Sequence, residues 1–226
     1  MQKRTLMTIL LWGLIASGVH AQQGPKYRIG LTFAPSLSWF SPDTRDYISE
    51  GTRMGTSFGL IGEYHLSYHY VISTNFLVSS FGGKLRYRDD VPAYGVHEIQ
   101  RDYRLRYFEV PVTFKGQTSQ FGYMTYFGRI GFAPGFNLKA TGDDQFSSGS
   151  TGITLSNDIK GEIPLIRLAF VAGAGAEYSL GGRMSLVGQL LYSNGFTNNL
   201  KGRNRVSGAA QSATSNYISL HVGVIF

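Results

Sequence analysis

From Tyr27 to Phe226 the chain alternates apolar and polar side chains with a period of two nearly everywhere, and no convincing 3.6-residue apolar stripe stands out. Such a chain can bury one face of a strand but not one face of a helix. Tyr27, Ile29, Leu31 and Phe33 alternate with Arg28, Gly30 and Thr32, and Tyr70, Ile72, Phe76 and Val78 alternate with Val71, Ser73 and Asn75. Similar rows run through Met54–Tyr64, Met124–Leu138, Ile166–Tyr178, Met184–Tyr192 and Ile218–Phe226. In the fourth segment Tyr103, Leu105 and Tyr107 lie opposite Arg104 and Arg106, and then Phe108, Val110, Val112 and Phe114 take over the apolar row. One extra residue in a strand produces such a change of parity, so the pattern predicts a β-bulge at Tyr107-Phe108.

Eight segments result, and their connections alternate in length. Short links fall near Ser67-Tyr68-His69, Gly116–Gln120 and Leu180–Arg183, and long polar ones near Ser41–Thr52, Gly83–Gln100, Thr141–Lys160 and Asn198–Ser215. The expectation is an all-β fold over residues 22–226, an eight-stranded antiparallel up-and-down transmembrane β-barrel with long external loops and short periplasmic turns.

The first 21 residues read as an export leader. Lys3 and Arg4 precede the apolar run Leu6–Ala16, and Val19 and Ala21 stand at −3 and −1 of the expected cut. That run is too short to be read as a spanning helix. The chain has no cysteine, so neither a thiol-linked lipid anchor nor disulfides are expected. Loss of Lys3 and Arg4 takes the formal charge from +7 to +5. No dense basic run accompanies that charge, which argues against nucleic acid as a partner; a mild positive balance suits anionic lipopolysaccharide. Mean hydropathy is −0.08, so a chain that crosses a membrane must do so with strands.

A soluble barrel would turn the same apolar rows inward. Three features favour a lipid bilayer. Aromatic residues gather toward the ends of the rows (Tyr27, Tyr64, Tyr70, Tyr103, Phe132, Phe136, Tyr178 and Tyr192), as in interfacial girdles. Connection lengths alternate, and the chain closes on Phe226, a terminal aromatic suited to be an insertion signal for the outer-membrane assembly machinery. Parity then sends Glu63, Arg104, Arg106, Glu109, Arg129, Arg167 and Glu177 into the lumen as an ion-pair network. An eight-stranded barrel has room only for side chains there, so a plugged interior is expected.

The segment Tyr107-Phe108-Glu109-Val110-Pro111-Val112-Thr113-Phe114-Lys115 resembles the Y-[LF]-E-[IV]-P-[LV]-x-[LF]-K strand of the PorT-like family of small outer-membrane β-barrel proteins. Gly135–Lys139, Gly173–Tyr178 and Tyr192–Asn198 extend the likeness. The resemblance implies an outer-membrane barrel and, in the namesake branch, a connection with type IX protein secretion and its partner proteins.

Candidate sites are few, and no catalytic, cofactor or metal site is expected. Glu109 beside Pro111 has the chemistry of a proton or ligand site, but an ion pair with Arg104, Arg106 or Arg129 is the simpler expectation. Gly173-Ala174-Gly175 has the look of a phosphate loop but continues as a strand. His65 and His69 flank a turn without the glutamate of a metalloprotease motif. Ser219 and His221 share a face and would need a carboxylate to serve a lipid hydrolase. Lys201, Arg203 and Arg205 could grip lipid phosphates, or be a solvated loop. The expected role is non-enzymatic, structural or accessory; the alternative is a small channel or transporter for small or hydrophobic solutes, which would need an apolar tunnel.

Overall fold

The computed structural model describes residues 26–91, 94–148 and 151–226. The expected leader, residues 1–21, lies outside the described residues. Among them are β1 (Tyr27–Pro42), β2 (Ile48–Gly51), β3 (Arg53–His65), β4 (Tyr70–Val91), β5 (Gly95–Glu109), β6 (Val112–Gln117), β7 (Met124–Ser148), β8 (Thr151–Asp158), β9 (Ile166–Gly181), β10 (Met184–Gly195) and β11 (Ala213–Ile225). All pairings are antiparallel, and β1 joins β3 on one side and β11 on the other, which closes the sheet into a ring. Strands β5 and β6 form one wall element, because both pair with β4 and β7 in a continuous register across Val110-Pro111. Proline has no N–H to give the ladder, so the strand pauses there without losing its place. The ring therefore has eight strands, with β2 and β8 as additions at one end.

Its outer face carries the apolar rows. Ile29, Ile130, Leu190 and Val222 are 69, 57, 57 and 55% exposed. Water would penalise such a continuous apolar band, whereas hydrocarbon does not. Aromatic pairs mark its borders. Tyr27 meets Tyr64, Tyr70 meets Phe114 and Tyr123 meets Tyr178 near the chain ends and short turns. Trp39 stacks on Tyr192, and Phe132 contacts Phe170 and Phe196, toward the opposite end. The tight β9–β10 turn depends on Gly181 and Gly182, whose φ of 100° and 62° favour glycine.

Beyond the second border the wall continues as β-structure. Most of the segments expected as loops at Gly83–Gln100 and Thr141–Lys160 are strand, in the upper parts of β4, β5 and β7 and in β8. There the sense of the alternation reverses. Tyr103, Leu105 and Tyr107 are 1, 1 and 0% exposed and point inward, while Arg104 and Arg106 are on the outside. This corrects three expectations: Arg104 and Arg106 are not in the lumen, Tyr103 is not in a lipid-facing girdle, and no bulge lies in β5. The inward parity runs unbroken through Tyr103, Leu105, Tyr107, Glu109, Thr113 and Lys115. What changes is the medium outside. Below Phe108 the exterior is hydrocarbon and favours apolar side chains; above it the exterior is water, and the apolar side chains turn in.

The inward aromatics form a core in the outer half of the barrel. Phe40, Phe81, Leu85, Tyr103, Leu105, Tyr107 and Tyr217 belong to one buried cluster, with Phe81 stacked on Tyr107 at 5.2 Å and Phe40 edge-on to Tyr103 at 5.3 Å. Phe40 reaches across because Gly83 has no Cβ, which would lie 2.9 Å from the Phe40 ring.

Candidate functional site

Two charged layers lie inside the ring beneath this core. Nearer the short turns, Lys115 of β6 lies between Glu63 of β3 and Glu177 of β9. Its Nζ donates to Glu63 Oε1 at 2.7 Å and also to Glu177 Oε1. Arg28 Nη2 donates to Glu177 Oε2 at 2.6 Å and lies 3.7 Å from Glu63 Oε2. Arg129 approaches Glu63 at 3.7 Å and donates to Ser73 Oγ at 2.9 Å. Three cations thus share two carboxylates. Phe127 completes the layer with its ring centroid 4.5 Å from Lys115 Nζ, a cation–π contact that favours the cation further.

The second layer is a neutral pair. Arg167 of β9 donates from Nη1 to Glu109 Oε1 at 2.9 Å, and Tyr217 OH donates to Glu109 Oε2 at 3.1 Å. Arg167 Nε donates to Ser215 Oγ at 2.8 Å, and Nη2 donates to the Ser215 carbonyl at 2.9 Å and to Ser193 Oγ at 3.2 Å. Its guanidinium lies 4.9 Å from the Phe81 ring centroid. Every guanidinium nitrogen has a partner, which is what a buried charge requires.

Of the residues assigned to the lumen from sequence, Glu63, Glu109, Arg129, Arg167 and Glu177 lie within it, and Arg104 and Arg106 do not. The partner of Glu109 is Arg167 and not Arg104, Arg106 or Arg129. Sequence reasoning missed Lys115 and Arg28. Both were findable: Arg28 alternates with Tyr27 and Ile29, and Lys115 shares the parity of Glu109.

Between the layers Ser219 Oγ and His221 Nε2 are 3.0 Å apart, and His221 Nδ1 faces Thr32 Oγ1 at 3.4 Å. A hydroxyl therefore stands where a triad would have its orienting carboxylate. Gly173-Ala174-Gly175 is in mid-strand, paired with both β7 and β10. His69 Nδ1 contacts the Gln117 carbonyl at 3.1 Å. Among the described residues no group of His, Asp and Glu is arranged to hold a metal ion. Phe226 is on the outer face, and its N–H donates to the Ile29 carbonyl at 2.7 Å.

The outer mouth is closed by its loops. Asn204 Nδ2 donates to the Arg88 carbonyl at 2.6 Å and to Tyr47 OH at 3.3 Å, pinning the β10–β11 loop over the barrel. Arg101 holds Asp144 through two hydrogen bonds and Glu162 at 2.7 Å, with its guanidinium over Tyr87 and Tyr103. Burial alone would lower the Arg101 pKa, but the Asp144 bonds outweigh it and hold it above the usual value. Burial also raises the phenols of Tyr87 and Tyr47, and pushes Tyr103 up to about 12. Lys201, Arg203 and Arg205 border a cleft of about 610 Å³ that also contains Asp89, Asp90, Asp144 and Asp158. The cleft is thus of mixed charge, and the side-chain hydrogen bonds of Arg203 and Arg205 go to the Gly208 and Asp90 carbonyls.

A closed antiparallel ring of eight strands with an apolar exterior and an occupied interior defines a small transmembrane β-barrel. The chain belongs to the outer membrane protein beta-barrel domain family, which it matches over residues 20–200, more than half its length. Its place is accordingly the outer membrane. The chain is similar in structure to OprG from Pseudomonas aeruginosa, with a TM-score of 0.50 at 9% identity over 88% of this chain and 95% of that one. Neisserial surface protein A gives 0.46 at 9% identity over 90 and 99%, and Ail of Yersinia pestis 0.40 at 14% identity over 89 and 100%. At such identities the likeness bears on the fold alone. No curated protein matches the chain significantly.

Proposed function

We propose that the protein is a non-enzymatic barrel with a plugged polar lumen, serving the outer membrane as a structural or accessory component. The observation that carries this reading is the Arg167–Glu109 pair, fully enclosed in the lumen and extended by Arg167 to Ser193 and Ser215, beneath packed aromatic side chains. A permeation path would have to break a buried ion pair, at a cost of several kcal/mol. The Ser219–His221 contact, facing Thr32 within the enclosed lumen, supports the non-enzymatic part.

The transport alternative would need an apolar tunnel. The apolar part of the lumen does exist, but Phe81, Tyr107 and Tyr217 pack against one another there. An accessory part in protein secretion rests on the PorT-like likeness of Tyr107–Lys115 alone. Planar-bilayer recording of the full chain tests the closed barrel: no steady conductance is expected, and discrete conducting steps would reject it in favour of transport. Unimpaired export of secreted proteins in cells lacking the chain would reject the secretion part.

A further inference from the structure

Just above the apolar band, Arg106 of β5 lies directly opposite Lys139 of β7 in the ladder, and both side chains are exposed on the outer face. Opposed side chains on adjacent strands have Cβ atoms about 5 Å apart, and like charges so placed are destabilising. Three neighbouring arginines are neutralised: Arg53 by Asp102, Arg86 by Glu50 and Glu98, Arg104 by Asp143. Lys84 and Arg88 of β4 are without an ion pair among the described residues but lie opposite Asp102 and Glu98 in the ladder, not opposite another cation. Neither Arg106 nor Lys139 makes an ion pair among the described residues.

The wall deviates from regularity to bring this pair together. Arg106 pairs with Lys139 but Tyr107 pairs with Asn137, which leaves Leu138 as the extra residue of a bulge in β7. Upstream of it the inward residues are Phe127, Arg129 and Asn137, all odd-numbered, and without the bulge Lys139 would follow them into the lumen. With it, Leu138 and Lys139 are both exposed. Bulges re-aim side chains in this way. Directly below the two cations lie Phe108 and its cross-strand partner Phe136, with Phe76 stacked on Phe108 at 6.5 Å. Around the rest of the ring the corresponding border positions, such as Trp39, Ile166, Tyr192 and Thr214, are uncharged.

We infer that Arg106 and Lys139 form a binding site for a phosphorylated, acylated lipid of the outer leaflet. The phosphate lies between the two cations and the acyl chains run down the Phe108–Phe136–Leu138 surface. A phosphate turns the repulsion of the pair into two charge-assisted contacts, and the long-loop end of the barrel puts the site in the leaflet that holds lipopolysaccharide. The inference rests on the outer-membrane placement and is independent of the closed-lumen proposal.

The test is binding of bisphosphorylated lipid A to the full chain folded in neutral detergent, followed by native mass spectrometry. Dephosphorylated lipid A and inorganic phosphate serve as the comparison ligands. R106Q/K139Q is expected to bind lipid A about 30-fold more weakly, while K26Q/R183Q, which removes two cations at the other end of the barrel, binds as the parent does. R106K/K139R retains binding, which separates charge from misfolding, and each variant is first checked for its heat-dependent gel shift. Unchanged binding by R106Q/K139Q overturns the site. Equal binding of the dephosphorylated lipid overturns the phosphate contact, and inorganic phosphate bound as tightly as lipid A overturns the lipid assignment.

Discussion

Arg167 and Glu109 meet at 2.9 Å inside the lumen, over Gly135 of the strand between theirs, with neither side chain exposed to solvent. Removing one partner strands the other charge in an enclosed site, whereas removing both removes the cost along with the contact. Arg167→Leu is therefore expected to destabilise the barrel by roughly 3–5 kcal/mol. Arg167→Leu/Glu109→Leu should recover most of that loss. Urea unfolding of the refolded chain, followed by Trp39 fluorescence, gives the comparison; equal losses for the single and double variants would mean that the pair is not coupled.

The reversal of polarity along β5 can be mapped with single cysteines, because the chain has none of its own. Arg104→Cys and Arg106→Cys should react in intact cells with a membrane-impermeant maleimide. Leu105→Cys and Tyr107→Cys, turned into the aromatic core, should not react until the barrel is unfolded. Phe108→Cys, at the hydrocarbon border, should prefer a lipid-soluble reagent. Reaction at 105 and 107 in place of 104 and 106 would restore the bulge expected from the sequence.

That reversal explains where the sequence was legible and where it was not. Rows such as Ile29–Leu31–Phe33 and Leu186–Leu190–Tyr192 lie wholly within the bilayer, so one rule, apolar outward, reads them correctly. The fourth segment crosses from bilayer to water between Arg106 and Phe108. Its period stays at two while the favoured outward chemistry changes, and the sequence cannot distinguish that from a bulge in β5. The real irregularity is at Leu138, in a strand whose alternation appeared regular, and it places Lys139 on the face opposite to the one its parity indicates. The upper parts of β4 and β7 were expected as loops because their outward residues, Arg86 and Gln145 among them, are as polar as those of a loop. Glu63, Glu177, Arg129, Arg167 and Glu109 could be assigned to the lumen, but which cation meets which carboxylate depends on ring closure, which no local pattern encodes.

Asn204 is one of the residues that hold the β10–β11 loop, beside Lys201, whose N–H donates to the Glu162 carbonyl, and Arg205, whose N–H donates to Asp89 Oδ1. Asn204 Oδ1 accepts from the Val206 and Ser207 N–H groups at 2.9 Å each, while its Nδ2 reaches Arg88 and Tyr47. Asn204→Ala removes these bonds and should weaken local closure of the loop by about 1–3 kcal/mol. Trypsin then cuts faster at the exposed Lys201, Arg203 and Arg205, by about tenfold or more, with the urea midpoint of the barrel unchanged. Unaltered proteolysis would show that other contacts hold the loop.

Above pH 10 the outer core should become a source of instability. Tyr103 is buried against Phe40 and its phenol is pushed up to about 12, whereas in the unfolded chain it ionises near 10. Below pH 10 both states keep the proton and the group adds no pH dependence. Between pH 10 and about 12 the unfolded chain loses the proton while the folded chain keeps it, so stability falls as pH rises. The loss reaches roughly 3 kcal/mol by the top of that window. Tyr47 and Tyr87, also raised by burial, act in the same direction. Tyr103→Phe keeps the ring and removes the ionisable group, so its urea midpoint should decline less steeply from pH 10 to 12 than that of the parent. Parallel slopes for the two proteins would mean that Tyr103 ionises in the fold as freely as in water, and that this layer is open to solvent.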